Sequence, residues 1–283
     1  MLGHKGMPVR VRRVSSELKE LRLRSGLSGE EVAAALGMSM SKLSRMETGQ
    51  RGLYADDVSA LLGLYRVPAK RREEILALVR NGMDRNWWQV RDGGLPRMWQ
   101  DLIRFEKEAT SICNYESMFI PGLLQTSEYA ATIAEATDPD LTPPQVDSLV
   151  TARMTRQTLL HAAGHPTLEF LVEESVLRRP VGTGGLMYRQ LRHAITAGSR
   201  ANVAIRVLPS AAGAHPGLEG PFVLLDFGQQ PSLVYLENRW SSAFLEEAEH
   251  VVAARESFRL LRDVALPESA SLEFMARVAD ELA

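Results

Sequence analysis

The sequence predicts a chain of two parts. Residues 1–80 read as an all-α domain of five short helices built around a helix-turn-helix. Residues 96–283 read as a mixed α+β domain with a largely antiparallel sheet. Three observations lead there. At 283 residues, the chain is longer than one average domain and comfortable for two. Short amphipathic runs stopped by glycines fill the first part, whereas β-branched and aromatic runs alternate with helical patterns in the second. Between them, residues 81–95 shift composition, and Gly82, Gly93, Gly94 and the following Pro96 break any element there, as a linker does.

The elements of the first part follow from local chemistry. Ser15 or Ser16 is placed to cap a first helix with Leu18, Leu21 and, more weakly, Leu23 inward, and Gly26 ends it. Ser28 caps a second, and Glu31 three residues on completes a capping box. Its apolar stripe is Val32, Ala33 and Leu36. Gly37 stops it, and Ser39 caps a third helix closed by Glu47, Thr48 and Gly49. Leu43 and Met46 face inward. Two more helices carry Val58, Leu61, Leu62 and Leu64, then Ile75, Leu76, Leu78 and Val79, with Pro68 near the start of the last.

In the second part, helices are expected at about 97–111, 126–136, 143–163, 184–198, 246–264 and 269–282. Strands are expected in "SICNYE", "TLEFLVE", "ANVAIRVLP", "GPFVLLDF" and "SLVYLEN". Several of these strand runs adjoin turns, which suggests antiparallel pairing. Val251, Val252, Phe258, Leu261 and Val264 share one side of a helix, as core or as a dimer seam.

Composition narrows the function classes. Hydrophobic residues make up 45% and charged residues 24%, an ordinary globular profile. No apolar run is long enough to span a membrane, and the basic N-terminus is not followed by the apolar core of a signal peptide. Cys113 is the single cysteine, so no internal disulfide can form, and its apolar neighbours suggest a buried thiol in a reducing compartment. The net charge of −2 hides a division. Residues 1–80 hold 15 Lys or Arg against 9 Asp or Glu, and the remainder holds 18 against 26. A basic head on an acidic body suggests that the head meets a polyanion.

The third helix suggests which one. A short helix after a glycine turn, presenting Ser39, Met40, Ser41, Lys42, Ser44 and Arg45, fits the major groove of double-stranded DNA. Ser28 and Arg51 flank it as further contacts, and hydroxyls and cations of this kind serve phosphates as well as base edges. The basic stretch "HKGMPVRVRR" reads either as an arm along the DNA or as a disordered end.

The segment "LKELRLRSGLSGEEVAAALGMSMSKLSRMETGQRG" resembles the Cro/repressor-type (Xre family) helix-turn-helix. The segments "NWW", "FEKEATSICNYES", "IPGLLQTSEYA", "LRRPVG", "IRVLPSAAGAHPGLEGPFVLLDF" and "LVYLEN" resemble the companion domain of regulators from high-GC Gram-positive bacteria, sometimes described as antitoxin-like. The resemblance implies a cytoplasmic transcription regulator, an activator or a repressor, with a double-stranded operator as partner. It implies no known ligand. Two positions depart from the pattern: Gly29 and Met40 stand where such domains often carry Gln. Met40 can touch a thymine methyl but cannot pair with adenine as Gln does. Base reading then falls more to Lys42, Ser44 and Arg45.

A homodimer is expected, because two modules related by a two-fold axis read a palindrome. No catalytic motif occurs in the body: no G-x-S-x-G, no P-loop and no G-x-G-x-x-G. No enzyme activity, cofactor or metal is therefore expected. His161 and His165 have the spacing of two ligands on a helix, but Gly164 and Pro166 break it. The loops "IPGLLQT", "LRRPVG" and "AGAHPGLEGPF" read either as tight turns or as the rim of a pocket. That pocket would use Arg178, Arg179, His215 and Glu219 between Leu123, Leu124 and Phe222 to hold a small-molecule effector or a small protein partner. Trp87 and Trp88 read as packing anchors near the linker.

Overall fold

The computed structural model describes residues 9–49, 53–80, 97–160, 166–239 and 241–283. The chain divides into two compact units, with the division between residues 87 and 88, outside the described residues. The tail before residue 9, Arg51, Trp87, Trp88, His161 and His165 also lie outside them.

Five helices make up the described part of the first unit: α1 (Val9–Arg24), α2 (Gly29–Ala35), α3 (Met40–Glu47), α4 (Ala55–Leu64) and α5 (Ala69–Arg80). Local signals set most of their ends. The Ser28 hydroxyl accepts from the Glu31 N–H at 3.2 Å, while the Glu31 carboxylate accepts from the Ser28 N–H at 2.8 Å. Gly37 takes a left-handed φ of +61° to turn the chain from α2 to α3. The Ser39 hydroxyl then accepts from the Lys42 N–H at 3.1 Å. One core joins the helices: Leu18 of α1, Val32 of α2, Leu43 and Met46 of α3, Val58 of α4 and Ile75 of α5, all essentially out of solvent. An ion pair reinforces it. Arg22 on α1 donates from Nε and Nη2 to both oxygens of Glu47 on α3, at 2.7 and 2.9 Å.

Two expectations for this unit are corrected. The first helix does not begin at Ser15 or Ser16 but at Val9, and Ser15 is buried in its interior. The last residues of the basic stretch are therefore helical, with Arg12 and Arg13 buried. Leu23, expected to be weakly inward, is 60% exposed.

The second unit consists, in chain order, of α6 (Arg97–Glu108), β1 (Ser111–Glu116), α7 (Ser127–Thr137), α8 (Pro143–Arg156), β2 (Thr167–Glu173), α9 (Glu174–Arg178), α10 (Leu186–Gly198), β3 (Val203–Leu208), β4 (Phe222–Asp226), β5 (Leu233–Glu237), β6 (Ser242–Leu245), α11 (Ala248–Val264) and α12 (Glu268–Glu281). The strands form one mixed sheet in the order β3-β2-β1-β4-β5-β6. β1, β2 and β3 run parallel, while β4, β5 and β6 continue from β1 by antiparallel pairing. The expected, largely antiparallel sheet is thus correct for one half alone. In the other half, α7 with α8, and α9 with α10, are crossover connections of the length that parallel pairing requires.

β1 lies inside the sheet, so both of its faces matter. One face packs on α11: Tyr115, Leu171, Leu224 and Val234 surround Phe258 and Leu261. Arg255 and Arg262 of that helix pair with Asp226 and Glu169 on the same side. Val252 and Val264, read on the same stripe as Phe258, are 66% and 43% exposed and lie off that core. Cys113 is half-buried, and desolvation, with the Glu169 carboxylate nearby, pushes its thiol up to about 11. α12 is tied to β3 through Ser271, whose hydroxyl accepts from the Val207 N–H at 3.0 Å and donates to the Leu266 carbonyl at 3.1 Å.

Gly37 offers a clean test of the turn. A Cβ there would meet nothing within 4 Å, so Ala costs conformational energy without a clash. Gly37→Ala is expected to destabilise the first unit by about 1 kcal/mol, read by urea unfolding of the full chain. A variant as stable as the parent would mean that the turn tolerates another conformation.

Candidate functional site

In the first unit, the turn after α2 sets α3 so that Leu43 and Met46 point into the core. Ser28, Ser39, Met40, Ser41, Ser44 and Arg45 are exposed. Ser28 and Ser39 use their oxygens as cap acceptors, which leaves each hydroxyl proton for an outside acceptor. The two departures from the family pattern meet in space. A Cβ on Gly29 would lie 2.9 Å from the Met40 Cε, so the methionine tip occupies the space that a side chain at residue 29 would take. Lys42 is held differently from its neighbours. Its ammonium donates to Asp57 Oδ1 at 2.6 Å and is only half-exposed, tying α3 to the start of α4. Arg45 is thus the more available cation on this helix. Asp56 and Asp57, adjacent at the start of a helix, were the sequence signal for the Lys42 pairing.

The loop residues suspected in the body are not brought to one place. Arg178 donates to Glu174 and to Glu281, at 2.7 Å each, on the surface. Arg179 and Glu219 are exposed. Leu123 and Leu124 are buried, and the Gln190 side chain donates to the Leu124 carbonyl at 2.7 Å. His215 lies over β1. Its Nε2 is 3.2 Å from Glu173 Oε1, and the Tyr115 hydroxyl donates to that same oxygen at 2.8 Å. Gly217 makes this possible, since a Cβ there would fall 2.3 Å from Tyr115 Cζ. The "AGAHPGLEGPF" loop therefore packs on Tyr115, and His215 acts within that packing.

The body does contain a cavity, of about 870 Å³, on the sheet face opposite α11. It is within the range of small-molecule sites. Strand alternation builds one wall. Asn114, Val223 and Tyr235 stand in one row across β1, β4 and β5, and Glu116 and Glu237 stand two residues further along β1 and β5. The other walls come from Met98, Trp99 and Leu102 on α6, Ile133 on α7, and Arg153 and Arg156 on α8. Two of the suspected loops do reach it, through Gly122 and Gln125 of "IPGLLQT" and Pro221 of "GPF", whereas the Phe222 ring turns to the other face, against Tyr115 and Phe258.

Its polar groups form an ordered set. Arg156 donates from Nε and Nη2 to the two oxygens of the buried Glu106, at 2.8 and 2.6 Å. Trp99 Nε1 donates to Glu237 Oε1 at 2.6 Å. The Arg153 guanidinium lies 4.7 Å from the Trp99 ring centre and donates to Gln125 Oε1 at 2.5 Å. Burial and the neighbouring Arg156 charge lower the Arg153 pKa to about 10, still cationic at neutral pH. Glu116 is raised to about 8, first by desolvation, with the Glu237 carboxylate adding to the rise. Asn114, Arg153 and Arg156 act against that rise.

Sequence reasoning missed this set because α6, β1, α8 and β5 are far apart along the chain. One signal was present: Asn114 and Glu116 alternate in a strand whose other positions suit a core.

Glu116 supplies a test with a defined sign. An acid whose pKa is raised on folding loses stability as pH climbs from its ordinary range, about 4.3, towards about 8. Gln stays neutral throughout. Glu116→Gln should match the parent at pH 4 and become the more stable of the two above it, with a gap growing by up to about 1.4 kcal/mol per pH unit until pH 8. Denaturant unfolding across pH 4–9 measures this, and a gap independent of pH would contradict the desolvation of this acid.

Comparison with known families agrees with both units. No curated protein and no solved structure matches the chain. A helix-turn-helix domain family matches residues 13–75, which points to a DNA-binding regulator. A second family, described as a domain of unknown function (DUF5753), matches residues 99–277. That match covers well over half of the 283 residues, and the chain therefore belongs to this family of unknown function, with a helix-turn-helix domain ahead of the family's domain.

Proposed function

We propose that the chain is a sequence-specific transcription regulator of the Cro/repressor type, acting in the cytoplasm as a homodimer on a palindromic operator. The observation that carries this reading is the outward face of α3. Ser39, Met40, Ser41, Ser44 and Arg45 are exposed there, while Leu43 and Met46 anchor the helix from behind. A helix held in this way offers side chains to base edges in the major groove. The excess of cations in residues 1–80 supplies the phosphate term.

The body, in this reading, does no chemistry. It holds the dimer contacts and senses an effector. The concave, partly open cavity favours a small molecule over the antitoxin-like alternative of a small protein partner, which would call for a broader exposed surface instead.

Selection from a random duplex library with the full chain tests the reading, followed by anisotropy on the selected site at several salt concentrations. Arg45→Ala is expected to weaken binding by about 1–3 kcal/mol if it reads a base, or to lower the salt slope by about 1 if it meets a phosphate. Lys42→Ala is expected to have the smaller effect, because Asp57 already holds its ammonium. Unchanged binding by a folded Arg45→Ala variant, or no enrichment of any sequence, would remove α3 as the recognition helix.

A further inference from the structure

The body's cavity contains two ionisable groups that its folding does not explain. Arg153 and Arg156 lie one turn apart on α8, yet only Arg156 has a carboxylate partner. Arg153 forms no ion pair among the described residues; one of its five N–H groups is used by Gln125 and its plane rests on Trp99. Glu116, across the cavity on β1, likewise pairs with no cation among the described residues. A desolvated guanidinium with open donors costs stability unless an acceptor completes it. The lining beside it includes the apolar and aromatic side chains of Trp99, Ile133 and Tyr235, with polar groups elsewhere around the cavity.

We propose that this cavity binds a small organic carboxylate with an aromatic or otherwise apolar body. The carboxylate accepts from Arg153 as a fork, and the body fills the space beside Trp99 and Ile133. Two other features favour an anion over an amine. Glu116 holds its proton at neutral pH, so it offers a donor to the ligand and not a negative charge. Glu237 already takes the Trp99 indole N–H and is exposed, so an ammonium there would gain little over water. Met98 and Trp99 belong to α6, the first described element after residues 81–96, so an occupant touches the element that follows the junction of the two units. This site deepens the effector role proposed above and rests on it only for an effect on DNA binding.

Calorimetric titration of the full chain, without DNA, with three probes of one shape decides the matter: 2-naphthoate, the neutral 2-naphthamide and the cationic 2-naphthylmethylamine. The carboxylate is expected to bind at least about tenfold more tightly than the amide, and the amine not to bind measurably. Arg153→Gln should erase the preference for the carboxylate, and Ile133→Trp, which fills the cavity, should abolish binding of every probe. Equal affinities, tighter binding of the amine, no binding of any probe, or a preference that survives Arg153→Gln would overturn the proposal. If Arg153→Gln does not fold, the comparison of the three probes on the parent chain still decides. A probe that binds but leaves operator affinity unchanged would overturn the effector role and leave the site standing, whereas loss of operator binding by the free chain bears on the DNA reading alone.

Discussion

The buried pair between Glu106 and Arg156 is the constraint from which the rest of the body's cavity follows. It joins α6 to α8 by two hydrogen bonds, with both groups almost without solvent contact. Such a pair stabilises little in net terms, because desolvating two charges offsets most of their attraction. Its value is positional. A planar guanidinium held at two points fixes the rotation of α8, and Arg153, one turn earlier, is then turned towards Trp99 and the cavity. The neighbouring loop conforms to the same pair. A Cβ on Gly122 would be 3.2 Å from Arg156 Nη1, so the chain passes there as glycine. Gln125, three residues on, completes the arrangement: its side chain donates to the Ile120 carbonyl at 2.6 Å and accepts from Arg153.

The first unit uses the same device at smaller scale. Arg22 grips Glu47 with a two-point fork and also donates to the Leu27 carbonyl at 3.1 Å. Those contacts hold the turn after α1 and the end of α3 together. Leu43 and Met46 set how deep α3 sits, and Lys42 with Asp57 sets its relation to α4. A recognition helix of eight residues has little stability of its own. Contacts on three sides replace it, and the outward face is left for a partner.

What could be read in the sequence was whatever local chemistry decides. The caps at Ser28 and Ser39, the stop at Gly37 and the inward pair Leu43 and Met46 each depend on residues within one turn, and all were legible. "SICNYE" and "TLEFLVE" were legible as strands because their residue types suit a pleated, half-buried surface. The direction of pairing was not, because it depends on how α7 and α8 return the chain, and that is a property of the whole unit. Glu47 looked like a helix end, since Arg22 lies 25 positions away. His215 and Glu219 looked like a site because they share a loop. The fold instead placed His215 against Tyr115 and left Glu219 in solvent, which proximity along the chain could not foretell.

β1 shows why the cavity reads as a site and not as imperfect packing. A strand inside a sheet, covered on both faces, is most stable with apolar residues throughout. β1 meets that expectation on the α11 side with Tyr115, yet it carries Asn114 and Glu116 on the other. Asn114 is satisfied in part by donating to the Phe222 carbonyl at 3.4 Å. For Glu116, Asn114 and the two arginines offset only part of the desolvation, and the acid holds its proton at neutral pH. Leu or Val at residue 116 would remove that cost and fill part of the space. A sequence that keeps a half-buried, desolvated acid on an interior strand, opposite an arginine that forms no ion pair among the described residues, departs twice from what stability alone favours, and the two departures face one volume. Local conflicts of this kind concentrate where a protein meets a ligand. The acid and the arginine are consistent with each other as soon as a third group stands between them.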